Sequence, residues 1–227
     1  MASPPEDTAS PDAGAAAVPP APAVARSIFG PVLADAERYV ARLAGDGVTR
    51  GLIGPREVPR LWERHVLNSA AVADAVPPGA RVVDVGSGAG LPGIPLALAR
   101  PDLRLALVEP MARRVEFLEE VVAELGAPWR VVRGRAEERS VRAAVGPVDV
   151  VTARAVAALP RLVSWCRGLM RPGAQLVALV GTRAVAELPA LVPELEAAGM
   201  RDVHARTVGA ELGEAATTVV VMTRGPR

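Results

Sequence analysis

Apolar positions in the first third of the chain recur at helical spacing, and near residue 80 the period changes. Phe29, Val32, Leu33, Ala36, Tyr39, Val40 and Leu43 lie on one face of a 3.6-residue repeat closed by Gly45-Asp46-Gly47. Leu61, Trp62, Val66, Leu67, Ala70 and Val72 form a second stripe, which stops at Pro77-Pro78-Gly79. Together they predict a helical appendage over 26–78. Beyond it, short apolar runs alternate with helical stretches. Strands are expected at Arg81–Val85, Arg104–Val108, Trp129–Arg133, Val148–Thr152 and Gln175–Val180. Helices are expected from the glycine-rich loop to Arg100, and at Ala112–Leu125, Ala155–Met170 and Ala184–Ala198. The segments 201–208 and 216–224 read as two closing strands, near enough to pair as an antiparallel hairpin with a long loop. This order predicts an α/β domain over 79–227, an open, doubly wound, mostly parallel seven-stranded sheet.

Composition changes that picture at the N-terminus. Residues 1–25 are rich in Pro, Ala and Ser and, after Met1, hold no bulky apolar side chain beyond two valines. Such a stretch buries too little surface to offset its ordering entropy and is expected to be a disordered tail. The net charge is +1. With Glu6, Asp7 and Asp12 of the tail set aside, 26 arginines face 22 acids, a surplus that permits RNA binding without requiring it. All 26 basic residues are arginine and Asn68 is the single asparagine, a bias toward Ala, Arg, Pro and Gly. An arginine can therefore stand where a relative carries lysine. The one cysteine, Cys166, rules out an internal disulfide framework and a cysteine-rich zinc site. It reads as a small buried hydrophobe, with a reactive thiol as the alternative. The N-terminus lacks the pattern of a secretory signal, and no run reaches the roughly 18 apolar residues that span a bilayer. A cytoplasmic protein is expected.

The chemistry concentrates in Val82–Ala99, where glycines 86, 88, 90 and 93 follow the first strand of the sheet. Gly88, Gly90 and Gly93 form the G-x-G-x-x-G register of NAD-binding oxidoreductases. Gly86, Gly88 and Gly90 form a second register preceded by Asp84. Two arguments favour the second. The first glycine should follow the strand directly, and the strand ends at Val85. A carboxylate near the end of a buried strand is costly, and beside a pyrophosphate it adds repulsion. Beside an ammonium and a sulfonium it is an asset, directly or through the loop amides it orders. The motif D-x-G-x-G-x-G therefore points to S-adenosylmethionine. Gly93 then becomes the first residue of a helix.

Glu109 ends the second strand about 20 residues on, where an acid accepts the hydroxyls of an adenosyl ribose; the alternative is a cap for the following helix. Ala136 and Glu137 follow the third strand, at the adenine edge or at a charged helix start. Arg154, past the fourth strand, either holds the cofactor carboxylate or a substrate phosphate, or is an exposed helix-start arginine. Glu116, Glu120 and Glu124 recur at i,i+4 and read as a solvated face, with no metal site.

Taken in order, "LWERHVLNS", "DVGSGAGLPGIPLALARP", "RRVEFLEEVVAELG", "GRAEE" and "TARAVAALPRLVSWC" resemble the glucose-inhibited-division B family over residues 28–223. That family methylates N7 of a guanine in bacterial small-subunit (16S) ribosomal RNA. The resemblance implies a Rossmann-like, class I S-adenosylmethionine methyltransferase sheet. It assigns Gly86 and Leu91 to the cofactor loop, Ala136 and Glu137 to the adenine side, Glu109 to the acid after the second strand and Arg154 to the cleft. It also brings His65 and Ser69, from an H-x-x-D-S segment, toward the cleft as substrate-positioning residues. Small-subunit ribosomal RNA, free or in the assembling subunit, is the implied partner of a monomer. Three departures stand out: Asn68 replaces the aspartate, Val180 precedes Gly181 where the family has lysine, and Arg113 replaces lysine. A small-molecule methyltransferase is the alternative substrate class.

Guanine N7 has a free lone pair, so no proton-transfer residue is expected. All six aromatics (Phe29, Tyr39, Trp62, Phe117, Trp129 and Trp165) fit core positions, which leaves no visible stacking platform. The planes of Arg64, Arg113, Arg114, Arg135, Arg139 and Arg154 are the candidates to stack on an RNA base.

Overall fold

The computed structural model describes residues 18–154 and 156–226. Seven strands form one sheet in the order β3-β2-β1-β4-β5-β7-β6. The strands are β1 Arg81–Val85, β2 Arg104–Glu109, β3 Arg130–Arg133, β4 Val148–Arg154, β5 Met170–Leu179, β6 Met200–Val208 and β7 Thr217–Arg224. The first five pair parallel, and β7 runs antiparallel to both β5 and β6. Four of the five residues of β1 are buried, the near-continuous apolar run of a strand covered on both faces. The order reverses between β1 and β4, which places the crevice for a ligand above their carboxyl ends.

The appendage comprises α1 (Ala23–Phe29), α2 (Leu33–Arg42), a Pro55–Arg60 3-10 turn, a loosely wound helical turn Leu61–Leu67, α3 (Asn68–Ala70) and Ala71–Ala75. Together with α4 (Gly93–Ala99) and α5 (Ala112–Glu124) it covers one face of the sheet. The other face is covered by α6 (Arg139–Val145), α7 (Leu159–Cys166) and α8 (Thr182–Ala197). Appendage and sheet share one apolar core, in which Tyr39, Leu43, Leu61 and Leu67 join Val82, Leu107 and Phe117.

Several boundaries differ from the sequence reading. Within the expected tail over 1–25, the described part is ordered from Pro19: α1 begins at Ala23, Ala25 is buried, and Trp62 Nε1 donates to Pro19 O at 3.0 Å. The apolar surface of Trp62 gives that stretch a cover which its own composition does not reveal; residues 1–17 lie outside the described residues. Gly30 and Pro31 interrupt the first helical stripe. The expected helix Ala155–Met170 starts only at Leu159, because Pro160 fits the first turn of a helix and not its interior. That helix ends at Cys166, and Met170 already belongs to β5, which includes Arg171-Pro172-Gly173 and whose pairing with β4 slips between Val148 and Val150.

Candidate functional site

The loop after β1 turns back under its own strand. Gly86 N and Ser87 N both donate to Val108 O, at 2.8 and 3.2 Å, and Ser87 Oγ donates to Asp84 O at 2.9 Å. Gly86 has φ +70°, and a Cβ there would stand 2.9 Å from Val156 Cγ2, so only glycine fits. Gly86 follows β1 directly, as the second register requires. Gly93 opens α4, and its missing Cβ lets the helix approach Leu107 and Asp84.

The loop borders a cavity of about 480 Å³ at the carboxyl ends of β1, β2 and β4, within the range of small-molecule sites. Gly86, Gly88, Leu91, Glu109, Ala136, Glu137 and Arg154 all line it, together with Leu52 and Ile53 of the appendage, Val156 and Trp165. Asp84, Gly90, His65 and Ser69 are not among the residues that line it. Asp84 lies beneath the loop, fully buried, with Oδ1 accepting from Thr152 Oγ1 at 2.9 Å and Oδ2 without a hydrogen-bond partner among the described residues. Burial pushes its carboxyl up to about 6, against the pull of the Thr152 hydroxyl. Asp84 thus stands beneath the loop, away from the cavity surface. Gly90 makes room for α4 and the appendage: a Cβ would meet Ile94 Cδ1 at 2.4 Å and Tyr39 Oη at 3.1 Å. Ser69 is buried with its hydroxyl unpartnered among the described residues, and His65 reaches the cavity only through Arg154.

Glu109 is buried and lines the cavity floor. Its Oε2 accepts from Gly88 N at 2.9 Å and its Oε1 from Met111 N at 3.0 Å, while Arg114 Nη1 stands 3.6 Å from Oε2. The bond to Met111, the residue preceding α5, is in keeping with the cap reading. A carboxylate offers about four lone-pair sites, so two remain for a pair of vicinal hydroxyls.

Sequence reasoning missed two residues. Tyr39 of α2 is fully buried, and its hydroxyl donates to Ala89 O at 2.8 Å, stapling the appendage to the glycine loop. Its helical spacing marks only a core position; the long-range pairing leaves no local signal. Trp165, also assigned to the core, stands half-buried on the cavity wall with the guanidinium of Arg161 5.0 Å from its ring centroid. An aromatic plane is thus present where none was expected. Cys166 next to it is buried, and its thiol is pushed up to about 12 by burial, which favours the inert reading. Glu120 and Glu124 bind Arg42 of the appendage, and Glu120 also binds Arg50, so that face is paired rather than simply solvated.

A family model described as rRNA small subunit methyltransferase G matches residues 32–215. This chain belongs to that family. The relatives named ribosomal RNA small subunit methyltransferase G include one from Mycolicibacterium gilvum, 52% identical over 206 residues that cover 91% of each chain. One from Mycobacterium marinum is 54% identical over 201 residues, 88% of each chain. Among solved structures, a SAM-dependent methyltransferase from Aquifex aeolicus superposes with a TM-score of 0.55 at 18% identity, over 77% of this chain and 98% of that one. The mitomycin 7-O-methyltransferase gives 0.58 at 19% identity, over 82% of this chain and 60% of that one. At such identity these structures speak to the fold, the Rossmann-like sheet of class I methyltransferases.

Proposed function

We propose that the protein transfers a methyl group from S-adenosylmethionine to N7 of a guanine in small-subunit ribosomal RNA. The observation that carries this reading is membership in the family, supported by a cavity whose lining fits the cofactor. The glycine loop leaves space that a Cβ at Gly86 would fill, Glu109 keeps lone pairs free for ribose hydroxyls, and Asp84 places a negative charge under a ligand that carries positive ones. Ala136 and Glu137 stand at the adenine end, and Arg154 offers a cation at the other.

When bound, the cofactor supplies an electrophilic methyl carbon on a sulfonium. The chain's own task is alignment. Guanine N7 attacks with a lone pair and carries no proton, so no side chain has to accept one before attack. Holding N7, carbon and sulfur in line is worth about 7–11 kcal/mol at best. Leu52, Ile53 and Val156 line the cavity with apolar surface, which disfavours water beside the reacting groups. The partner proposed is small-subunit RNA, recognised through an extruded base.

The test is incubation with tritiated S-adenosylmethionine and, separately, naked small-subunit RNA, assembled subunits and a metabolite extract. Label is expected in RNA, released as 7-methylguanine. Label confined to metabolites would replace this reading with small-molecule methylation.

A further inference from the structure

Arg154 reaches the cavity wall at the end of β4 without a carboxylate partner among the described residues. Its Nη2 lies 3.0 Å from His65 Nδ1, and its Nη1 lies 3.5 Å from Arg64 O. Both partners are neutral acceptors. A guanidinium can only donate, so Nδ1 of His65 must be the unprotonated nitrogen. The proton then sits on Nε2, which donates to Glu57 Oε2 at 2.8 Å. Glu57 is held in turn by Arg64, whose Nη1 stands 3.2 Å from Oε1. The three side chains come from three places: Glu57 from the Pro55–Arg60 turn, His65 from the Leu61–Leu67 turn, and Arg154 from the sheet.

We infer that Glu57 and His65 are positioning residues that hold the Arg154 guanidinium at the cavity, aimed at the carboxylate of the cofactor's amino-acid portion. The inference rests on the cofactor assignment above. A half-buried guanidinium with only neutral acceptors keeps an unsatisfied preference for an anion, and the cofactor's one anionic group is that carboxylate. Left free, the long arginine side chain would spread over many rotamers, and a bound carboxylate would then have to order it. The relay does that ordering in advance.

The arrangement also sets a condition on pH. The charged groups facing His65 are Glu57 from the preceding turn, Arg64 from its own, and Arg154 from β4. Burial and the two arginines hold the imidazole below its usual range, while Glu57 pulls the other way. At neutral pH the ring is therefore an acceptor for Arg154. Protonation places an N–H and a positive charge against the guanidinium and breaks the contact.

The probes are S-adenosylhomocysteine, which keeps the carboxylate, and 5′-methylthioadenosine, which lacks the amino-acid portion. Affinity for each is measured by calorimetry on the full chain between pH 5 and 8. For His65→Ala at pH 7.5 we expect binding of S-adenosylhomocysteine to weaken about tenfold and that of methylthioadenosine to hold. His65→Asn can place its amide oxygen where Nδ1 stood and cannot titrate, so its affinity at pH 7.5 is expected to stay near the wild-type value. The Asp84 carboxyl, pushed up to about 6, also titrates within the pH 5–8 scan, so the share due to His65 is the difference between the wild-type and His65→Asn pH curves. That difference is expected to open on the acid side of histidine's usual range. In Glu57→Gln, where the acceptor for Nε2–H remains but the charge is gone, it should open at still lower pH. Equal losses for both ligands in His65→Ala would overturn the inference, as would unchanged affinity or superimposable wild-type and His65→Asn curves. Wild-type protein that binds neither ligand would instead sink the cofactor assignment, and this inference with it.

Discussion

Asp84 is a residue kept at a cost. Its carboxyl rises from an ordinary 3.8 to about 6 because the folded chain buries it, and a rise of that size corresponds to about 3 kcal/mol. The sign follows from linkage: the native state favours the protonated form, so this stability is present at low pH and lost as pH rises through 6. At neutral pH the charge therefore works against the fold and is available to a cationic ligand. Asp84→Asn keeps an acceptor for Thr152 Oγ1 and removes the charge. Urea titrations at pH 5 and 7.5 should show the wild type losing about 1.4 kcal/mol more than the variant between those pH values, the rest of the loss falling between pH 3.8 and 5. The variant should also bind S-adenosylhomocysteine more weakly at pH 7.5. Equal pH slopes for the two proteins would mean that another group compensates the charge.

The glycine loop is an element that holds its shape from both ends. On the sheet side it hangs from Val108 O and Glu109, and on the appendage side from the hydroxyl of Tyr39. Tyr39→Phe removes the donor and leaves Ala89 O buried without it, at about 1–3 kcal/mol. We expect a lower melting temperature and weaker S-adenosylhomocysteine binding together, since the loop loses its tie to α2; an unchanged affinity would show that the sheet-side bonds suffice. The elements legible in the sequence are those with a local cause. β1 and the turn at Gly86 are readable because an apolar run followed by a glycine with positive φ leaves few alternatives. The expected α7 starts too early because the apolar pattern of 155–170 continues through Pro160, and the pattern carries no penalty for a proline. Asp84 reads as functional, yet its depth beneath the loop does not: a sequence shows that a strand ends in an acid but not how far the acid lies from the cavity. Tyr39 and the Glu57–His65–Arg154 relay are invisible for another reason. Tyr39 meets its partner 50 residues away in the chain, and Arg154 meets His65 across 89.

At the scale of the whole molecule, the appendage and the sheet are not separable units. Every residue of α4 from Gly93 to Leu98 is buried, although the sheet covers only one side of it. Contacts from α1, α2, α3 and the Ala71–Ala75 turn close the other side. The glycine loop runs directly into α4, so the cofactor site stands on a helix that the appendage keeps out of water. A fragment over 79–227 would expose Ile94, Leu96 and the Leu105–Phe117 face at once. Fully burying one such side chain is worth about 1.5–3 kcal/mol, and a domain's net stability is only about 5–15 kcal/mol. Uncovering several of them exceeds what the sheet holds in reserve. The fragment is therefore expected to be insoluble, or to bind a hydrophobic dye and unfold without a cooperative transition. A fragment that melts cooperatively would show that the sheet and its other helices fold alone, and its affinity for S-adenosylhomocysteine would then measure directly what Tyr39, Leu52 and Ile53 contribute to the cavity.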